Sequence, residues 1–218
     1  IGCAEVSFSL WDIDRLYRCV TSGKMRETIE IDFEEKFQTT IPCIENSTSK
    51  KYSVYLAIIN GDLLATLYDE FRDRLLEKNV RSFLQVKGGV NKGIRDTLRE
   101  EPDMFLAYNN GISTVADSIV IDEASSHDDL VTITEITGWQ IVNGGQTTAS
   151  IYNAFQAKLP LEKVHVQIKL SVIKQKEQAD GIIQNISKYA NSQNKINMSD
   201  FNANDVYHVK MERLSRST

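Results

Sequence analysis

Apolar and polar residues alternate along several stretches of this chain, and elsewhere the apolar residues recur at helical spacing. The longest alternating stretch covers residues 164–173, where every second side chain is apolar, as expected of a half-buried strand. Alternation also predicts strands at 4–9, 27–33, 52–59, 113–122 and 130–137. Helical spacing predicts helices at 12–20, 63–78, 91–99, 178–189 and after Ser199.

One stretch combines a short apolar strand at 140–142, a glycine turn and a helix that extends to about Phe155. Gly144 and Gly145 permit a positive φ and a close approach by another backbone. Thr147 and Thr148 stand where the helix begins, so a hydroxyl there can cap free N–H groups and the helix dipole can attract an anion. The pattern fits an anion site and a purely structural turn equally well.

These elements predict an α/β fold, with a mixed α+β arrangement as the alternative: a mixed sheet flanked by helices. The strand at 52–59, the helix at 63–78 and a further strand at 80–84 read as a βαβ unit with a right-handed connection. The polar loop at 46–51 separates a small N-terminal α/β unit, 1–50, from a core domain, 51–218. Alternatively, this loop is a hairpin loop within one domain.

Composition and net charge limit the classes of protein to which this chain can belong. The 218 residues suffice for one large or two small domains. A net charge of -5 argues against a wholly basic nucleic-acid surface, although it is compatible with a local basic patch. No apolar run approaches the ~18 residues of a transmembrane helix. Three widely spaced cysteines indicate free thiols in a reducing cytoplasm, and the first residue, Ile1, indicates a fragment of a longer protein.

The sequence contains none of the familiar catalytic or metal-binding motifs. It lacks HExxH, GxSxG, a Walker lysine after a glycine loop and any cysteine cluster. The three histidines are scattered, and we expect each to be structural. We therefore predict no metal site, and the cofactor and the catalytic residues stay unknown at this stage.

Three segments rich in amide side chains and glycine are the unusual feature of the chain, at 109–111, 143–146 and 191–197. Amide side chains can read base edges, or they can hold the backbone of their own turn. If the three segments converge, they line one polar pocket. The residues predicted to bind a ligand there are Asn109, Asn110, Asn143, Gly144, Gly145, Gln146, Thr147, Asn191 and Gln193.

Cationic side chains near these segments are candidates for contacts with phosphate, since Arg and Lys supply most such contacts. Lys92 and Arg95 lie on one face of the basic helix predicted at 91–99, and Arg81 and Lys195 adjoin other segments. We predict that these four side chains contact phosphate. A solvated surface face is the plainer explanation of the same basic helix.

At these segments the sequence resembles the AIPR family, the abortive infection phage resistance proteins of bacteria. The motifs occur in the family's order and cover roughly residues 79 to 214, whereas the first 78 residues match only loosely. The matching stretches are NVRSFL (79–84), VNKGI (90–94), TL (97–98), FLAYNNGI (105–112), IVNGGQTT (141–148), YANSQNKI (189–196) and DF (200–201).

The resemblance implies a prokaryotic, cytoplasmic protein of antiviral defence, often encoded beside restriction-type genes whose products are its candidate partners. Family members are commonly longer, with an upstream restriction-endonuclease-like segment whose acidic-and-lysine motif is not visible here. The strand–turn–helix segment also looks like the Asp-Gly-Gln-His-Arg segment of ParB-like and DNA-sulfur-modification regulator proteins, where the turn faces a nucleotide or DNA. Thr147 and Thr148 replace the His and Arg of that pattern.

Three functions are compatible with these observations. The first is a defence protein whose amide- and glycine-rich loops bind a nucleotide or nucleic acid. The second is a nuclease or nucleotide hydrolase of a restriction-like defence system. The third is a non-catalytic scaffold that docks a defence partner, in which the amide loops only brace turns.

Overall fold

A mixed sheet forms the centre of the protein. The computed structural model describes residues 29–77, 80 and 92–192. Every pairing between its strands is antiparallel except that of β4 with β8, which is parallel. The strands are β1 (Glu30–Asp32), β2 (Ile41–Asn46), β3 (Tyr52–Asn60), β4 (Ile112–Ala116), β5 (Ser118–Ile121), β6 (Leu130–Thr137), β7 (Gln140–Asn143) and β8 (His165–Ile173).

The sheet curls until its strand pairings form a closed circuit. Its order is β1-β6-β2-β3-β8-β4-β7, with β5 on the other side of β6. Only Asp117 separates β4 from β5, and its N–H donates to the carbonyl of Thr137, 2.9 Å away. β4 and β5 therefore follow each other almost without a break. The first, β4, pairs with β8, and the second, β5, pairs with β6. The β7–β4 edge of this curled sheet carries the glycine turn.

Helices flank the sheet. Two of the helices begin with a side-chain cap: the carboxylate of Asp32 accepts from the N–H of Glu35 at 2.8 Å, and the amide oxygen of Asn60 accepts from the N–H of Asp62 at 2.7 Å. Such caps satisfy free helical N–H groups. The helices are α1 (Phe33–Phe37), α2 (Gly61–Phe71), α3 (Lys92–Glu100), α4 (Phe105–Tyr108), α5 (Gly145–Gln156) and α6 (Ala179–Asn191).

The main core lies between the sheet and α2 and α5, which pack against each other. Trp139 and Phe33 are almost fully buried there, with ring centroids 6.1 Å apart in an edge-to-face arrangement. A second, smaller cluster of Val115, Val142, Ile173 and Ile183 joins α6 to β4, β7 and β8. This second cluster packs the first half of α6 against the strands that lead to the glycine turn.

The mixed sheet with flanking helices is confirmed. The predicted strands at 52–59, 130–137, 140–142 and 164–173 are present, and the helix that follows the glycine turn ends at Gln156. The stretch 113–122 is interrupted at Asp117. The loop at 46–51 connects the antiparallel strands β2 and β3, and is therefore a hairpin loop. Residues 29–50 thus contribute β1 and β2 to the same sheet as the later strands.

The predicted βαβ unit is not found among the described residues. The neighbours of β3 are β2 and β8, and Val80, from the predicted strand at 80–84, is helical. The helix predicted at 63–78 ends at Phe71 and continues as a 3-10 turn, Arg72–Leu75. The strand predicted at 27–33 ends at Asp32, because that residue caps α1. The elements predicted at 4–9, at 12–20 and after Ser199 lie outside the described residues, as do residues 81–84.

We expect the fold to lose stability at alkaline pH because of two buried acids. Burial, reinforced by the charge of Glu45, raises the pKa of Cys43 from 9.0 to about 11 and that of Tyr55 from 10.0 to about 12. Both groups ionise more easily in the unfolded chain. Their contribution to stability is therefore complete below about pH 9 and is lost as the pH rises through the folded-state values.

Urea unfolding at about pH 8 and about pH 10.5 measures this loss. We expect a lower urea midpoint at the higher pH, and a smaller drop in Cys43→Ala, which retains only the contribution of Tyr55. Equal drops in the two proteins would show that the Cys43 thiol is not responsible.

No helix in the described part of the chain has the length and apolar character needed to cross a membrane.

Candidate functional site

The turn between β7 and α5 is built around two glycines. Gly144 occupies the position before α5 with φ +95°, a left-handed conformation that favours glycine. Its carbonyl accepts from the N–H of Thr148 at 3.0 Å and from the Thr148 hydroxyl at 3.2 Å. Gly145 is buried at the first position of the helix. The two hydrogen bonds and the burial of Gly145 therefore fix the backbone of the turn where it leaves the sheet.

The predicted capping of α5 by a threonine hydroxyl is wrong. The Thr147 hydroxyl donates to the amide oxygen of Asn109 at 3.2 Å, and the Thr148 hydroxyl donates to a carbonyl. Among the described residues, no side chain caps the start of α5. The first N–H groups of the helix, from Gly145 to Thr147, consequently keep their capacity to bind an acceptor.

The segment 109–111 packs directly against the glycine turn. The amide oxygen of Asn109 also accepts from the N–H of Gly111 at 2.9 Å, which closes a tight turn. A Cβ atom on Gly111 would lie 2.3 Å from the carbonyl oxygen of Gln167 in β8, and one on Gly144 would lie 2.5 Å from Cγ2 of Ile112. The two turns and β8 therefore pack so closely that neither glycine could carry a side chain without displacing a neighbour.

The end of α6 joins the same region from the other side. The side-chain amide of Asn143 donates to the carbonyl of Ala190 at 2.9 Å. The side-chain amide of Asn191 donates to the carbonyls of Val142 at 2.9 Å and Ser187 at 2.8 Å. These bonds fasten the last turn of α6 to the end of β7. Gln193 lies outside the described residues.

The described parts of the three amide segments thus converge, and their amides divide into two groups. Asn109, Asn143 and Asn191 are engaged in hydrogen bonds that brace the turns. Asn110 is exposed and Gln146 is half-buried, and within the described part of the chain neither side-chain amide forms a hydrogen bond. Of the predicted ligand-binding amides in the described ranges, Asn110 and Gln146 are therefore the two that keep their hydrogen-bonding capacity.

A buried hydroxyl lies one helical turn beyond Gln146. Ser150 is only 2% exposed, and its hydroxyl has no hydrogen-bond partner among the described residues. Thr114 in β4 is likewise fully buried and without a partner within that part of the chain. A buried hydroxyl without a partner is costly, and it often marks a place where a water or ligand binds.

Two of the four predicted phosphate-contacting residues lie on α3, which packs against α5. Leu98 anchors α3 in the core, whereas Lys92 and Arg95 are exposed. Arg95 is 3.9 Å from Asp96, and Arg99 is more firmly paired, with Glu100 at 2.8 Å. Lys92 and Arg95 can therefore turn towards an anion at little cost, since exposed ion pairs are weak. Arg81 and Lys195 lie outside the described residues.

A different part of α5 carries a cluster that has a structural explanation. The Tyr152 hydroxyl donates to Asp69 at 2.8 Å, and the Arg72 guanidinium stacks on the Tyr152 ring, 4.6 Å from its centroid. Removal of the Tyr152 hydroxyl from water and its hydrogen bond to Asp69 both raise the pKa of Tyr152. The cluster connects the end of α2 to α5.

Among the residues described, no group of three or more His, Cys, Asp or Glu side chains could hold a metal ion.

Two tyrosines that adjoin the amide segments in the sequence were not among the predicted site residues. Tyr108 directly precedes Asn109, and Tyr189 directly precedes Ala190, which accepts from Asn143. The two residues are 61% and 65% exposed. The available signal was an aromatic residue next to an asparagine-rich segment, but sequence alone could not show that it is exposed.

Comparison with known proteins identifies a family. The family model described as AIPR protein matches residues 76–218. The match includes all three amide segments and α3, and it begins after α2. No curated protein and no solved structure matches the chain.

Proposed function

The chain belongs to the AIPR family of abortive-infection, phage-defence proteins, and from this premise we propose that it binds a nucleotide or nucleic acid at the β7–α5 turn. The observation that carries the proposal is the convergence of the amide turns on the uncapped start of α5. The Asn109–Thr147 hydrogen bond holds the 109–111 turn there. Recognition at this place would serve a defence protein that must detect or act on phage nucleic acid.

Each part of the proposed site suits one part of such a ligand. A phosphate group accepts from the free N–H groups of Gly145, Gln146 and Thr147, where the helix dipole favours negative charge. The side-chain amides of Asn110 and Gln146 both donate and accept, as the edges of bases require. Lys92 and Arg95 on the neighbouring α3 supply positive charge for phosphate. Cytoplasmic location and a restriction-type partner protein belong to the same proposal.

Replacing Gln146 with alanine should weaken binding without disturbing the fold. Loss of one or two amide hydrogen bonds, each contributing about 0.5–1.5 kcal/mol, predicts a dissociation constant about 2- to 140-fold higher. Gln156→Ala is the matched control, because Gln156 is an exposed glutamine at the opposite end of the same helix. It should leave binding unchanged.

A thermal-shift series with ATP, GTP and short DNA and RNA oligonucleotides measures these differences. A ligand present at about 100 times its dissociation constant stabilises a protein by about 2.7 kcal/mol, which is a clear rise in melting temperature. We expect the rise to be smaller for Gln146→Ala than for Gln156→Ala. If both variants show the wild-type rise, the ligand binds elsewhere. If no probe shifts the wild-type protein, the binding function itself is wrong.

A further inference from the structure

We propose that two copies of this chain pair through the exposed side of the strands β2 and β3. This inference is independent of the proposed function and concerns a different part of the sheet. It is carried by four exposed apolar side chains on the two adjacent strands, and by the self-complementary order of the side chains that border them.

The four apolar side chains are neighbours on one side of the sheet. Ile44 of β2 pairs directly with Leu56 of β3. Pro42 and Ile58 each lie two residues further along one of these strands, and side chains alternate between the two sides of a strand. All four therefore point the same way, and the residues that alternate with them belong to the main core. We call Pro42, Ile44, Leu56 and Ile58 the apolar face.

The apolar face leaves much apolar surface in water. Ile44 and Ile58 are each 54% exposed, Leu56 is 43% exposed, and Pro42 is exposed as well. Single exposed apolar residues are common on protein surfaces, whereas adjacent ones that form a patch mark places where another molecule binds. Helix α6 covers this side of the sheet at a different place, where Ile183 packs against Ile173 of β8.

Two rows of side chains cross this side of the sheet, and the apolar face lies at their centre. In the strand order β8, β3, β2, β6, the rows are Lys169–Leu56–Ile44–Leu130 and Gln167–Ile58–Pro42–Thr132. A lysine thus stands at the β8 end of the first row. At the β6 end, the exposed turn Asp128–Asp129 directly precedes Leu130. The two ends of this row therefore carry opposite charges.

A twofold axis that runs parallel to the strands, between β2 and β3, makes this surface complementary to itself. Such an axis reverses the order of each row in the second copy, and twofold dimers are the commonest assemblies of identical chains. Leu56 then meets Ile44 of the second copy at the centre of the contact. Lys169 meets Leu130 and the acidic turn beside it. An apolar centre with a polar, charged rim is the usual composition of a protein interface.

The charges select this axis and favour a second copy as the occupant of the apolar face. An axis at right angles to the strands would keep the row order and bring the two Lys169 side chains towards each other, and like charges in contact oppose association. With the axis parallel to the strands, each copy supplies both the lysine and the carboxylates that the other copy needs. No second kind of protein is required to satisfy them.

Sedimentation velocity of the whole chain, over a wide range of concentration, tests the pairing. We expect the mass to rise from 24.7 kDa towards twice that value as the concentration increases. Ile44→Lys and Ile58→Lys each place a charge in the centre of the contact. Each should raise the dissociation constant of the dimer at least about 30-fold, as does the loss of a central interface residue.

Val120→Lys is the matched control. Val120 is 48% exposed on a strand and pairs with Glu135, outside the two rows, so this variant should form dimers as the wild type does. Thermal unfolding of each variant confirms that the fold is retained.

Charge exchange tests the twofold arrangement without altering the apolar face. Lys169→Glu should raise the dissociation constant about 2- to 5-fold, and so should Asp128→Lys combined with Asp129→Lys, the range of exposed ion pairs. The protein that carries all three changes should return towards the wild-type value. Within one chain Lys169 and the acidic turn are three strand spacings apart, about 14 Å, so this recovery requires contact between copies.

The remaining outcomes overturn the inference. A chain that stays at 24.7 kDa at every concentration does not pair. A dimer that survives both Ile44→Lys and Ile58→Lys is formed through another surface. A monomer that these two changes destabilise, while Val120→Lys does not, has its apolar face covered by another part of the same chain. Charge exchange without recovery contradicts the proposed axis.

Discussion

Replacing Gly111 with alanine is expected to destabilise the protein by about 2–5 kcal/mol, the sum of left-handed backbone strain and overpacking. The glycine has φ +70°, and a Cβ atom there would lie 2.3 Å from the Gln167 carbonyl oxygen. That oxygen belongs to the backbone of β8, so it cannot move aside like a flexible side chain. The 109–111 turn or the β4–β8 pairing must shift instead.

Gly181→Ala provides the matched control for this change. Gly181 lies in α6, and a Cβ atom there would meet nothing within 4 Å. Alanine in a helix is favoured over glycine by roughly 0.5–1 kcal/mol, so this variant should be slightly more stable than the wild type. Urea unfolding of the two variants measures both effects. A Gly111→Ala protein as stable as the wild type would mean that the turn does not pack against β8 as described.

The Gly111→Ala variant also helps to distinguish residues that hold the turn in place from residues that contact the ligand. The same turn holds Asn109 against Thr147, so a shifted turn loses the geometry of the site together with stability. Gln146→Ala, by contrast, should lose affinity and keep stability. The proposed site is therefore expected to show two kinds of variant: glycine and bracing-amide changes that weaken the fold, and free-amide changes that weaken only binding.

Phe33→Ala is expected to lower the free energy of unfolding by about 3–5 kcal/mol, the usual loss when a fully buried phenylalanine is truncated. Phe33 is fully buried and meets the ring of Trp139, so its removal leaves a cavity where α1 joins the main core. We expect one cooperative transition with a lower midpoint, because β1 and β2 share a sheet with the later strands.

Phe37→Ala, in the same helix, is the control for the loss of a less buried ring. Phe37 is partly buried and packs against the edge of the core, so its truncation should cost less than about 2 kcal/mol. Equal losses in the two variants would contradict the placement of Phe33. A separate low-temperature transition in Phe33→Ala would instead indicate that residues 29–50 unfold on their own.

Local patterns in the sequence determined the elements that carry the site. The strand at 140–142, the glycine turn and the following helix were predicted from an apolar run, two glycines and helical spacing, and each is present. The strand at 164–173 was predicted from alternation alone. These features depend on interactions between near neighbours along the chain, so a single sequence contains the information for them.

Tertiary structure alone decided how those elements combine. The predicted βαβ unit is absent among the described residues because strand pairing is set by contacts between residues far apart in sequence: β3 pairs with β2 and β8, and the parallel pair is β4 with β8. The roles of the amides were undecided for the same reason. Asparagine can brace a backbone or bind a ligand, and only the partners of Asn109, Asn143 and Asn191 show bracing.

The exposure of Tyr108 and Tyr189 was equally beyond the sequence, since a tyrosine is buried or exposed according to which elements pack over it. The sequence by itself determined the family, the strand–turn–helix motif and the amide segments, because these depend on residue identity and short spacing. Their convergence on one turn follows from long-range packing that only the folded chain specifies.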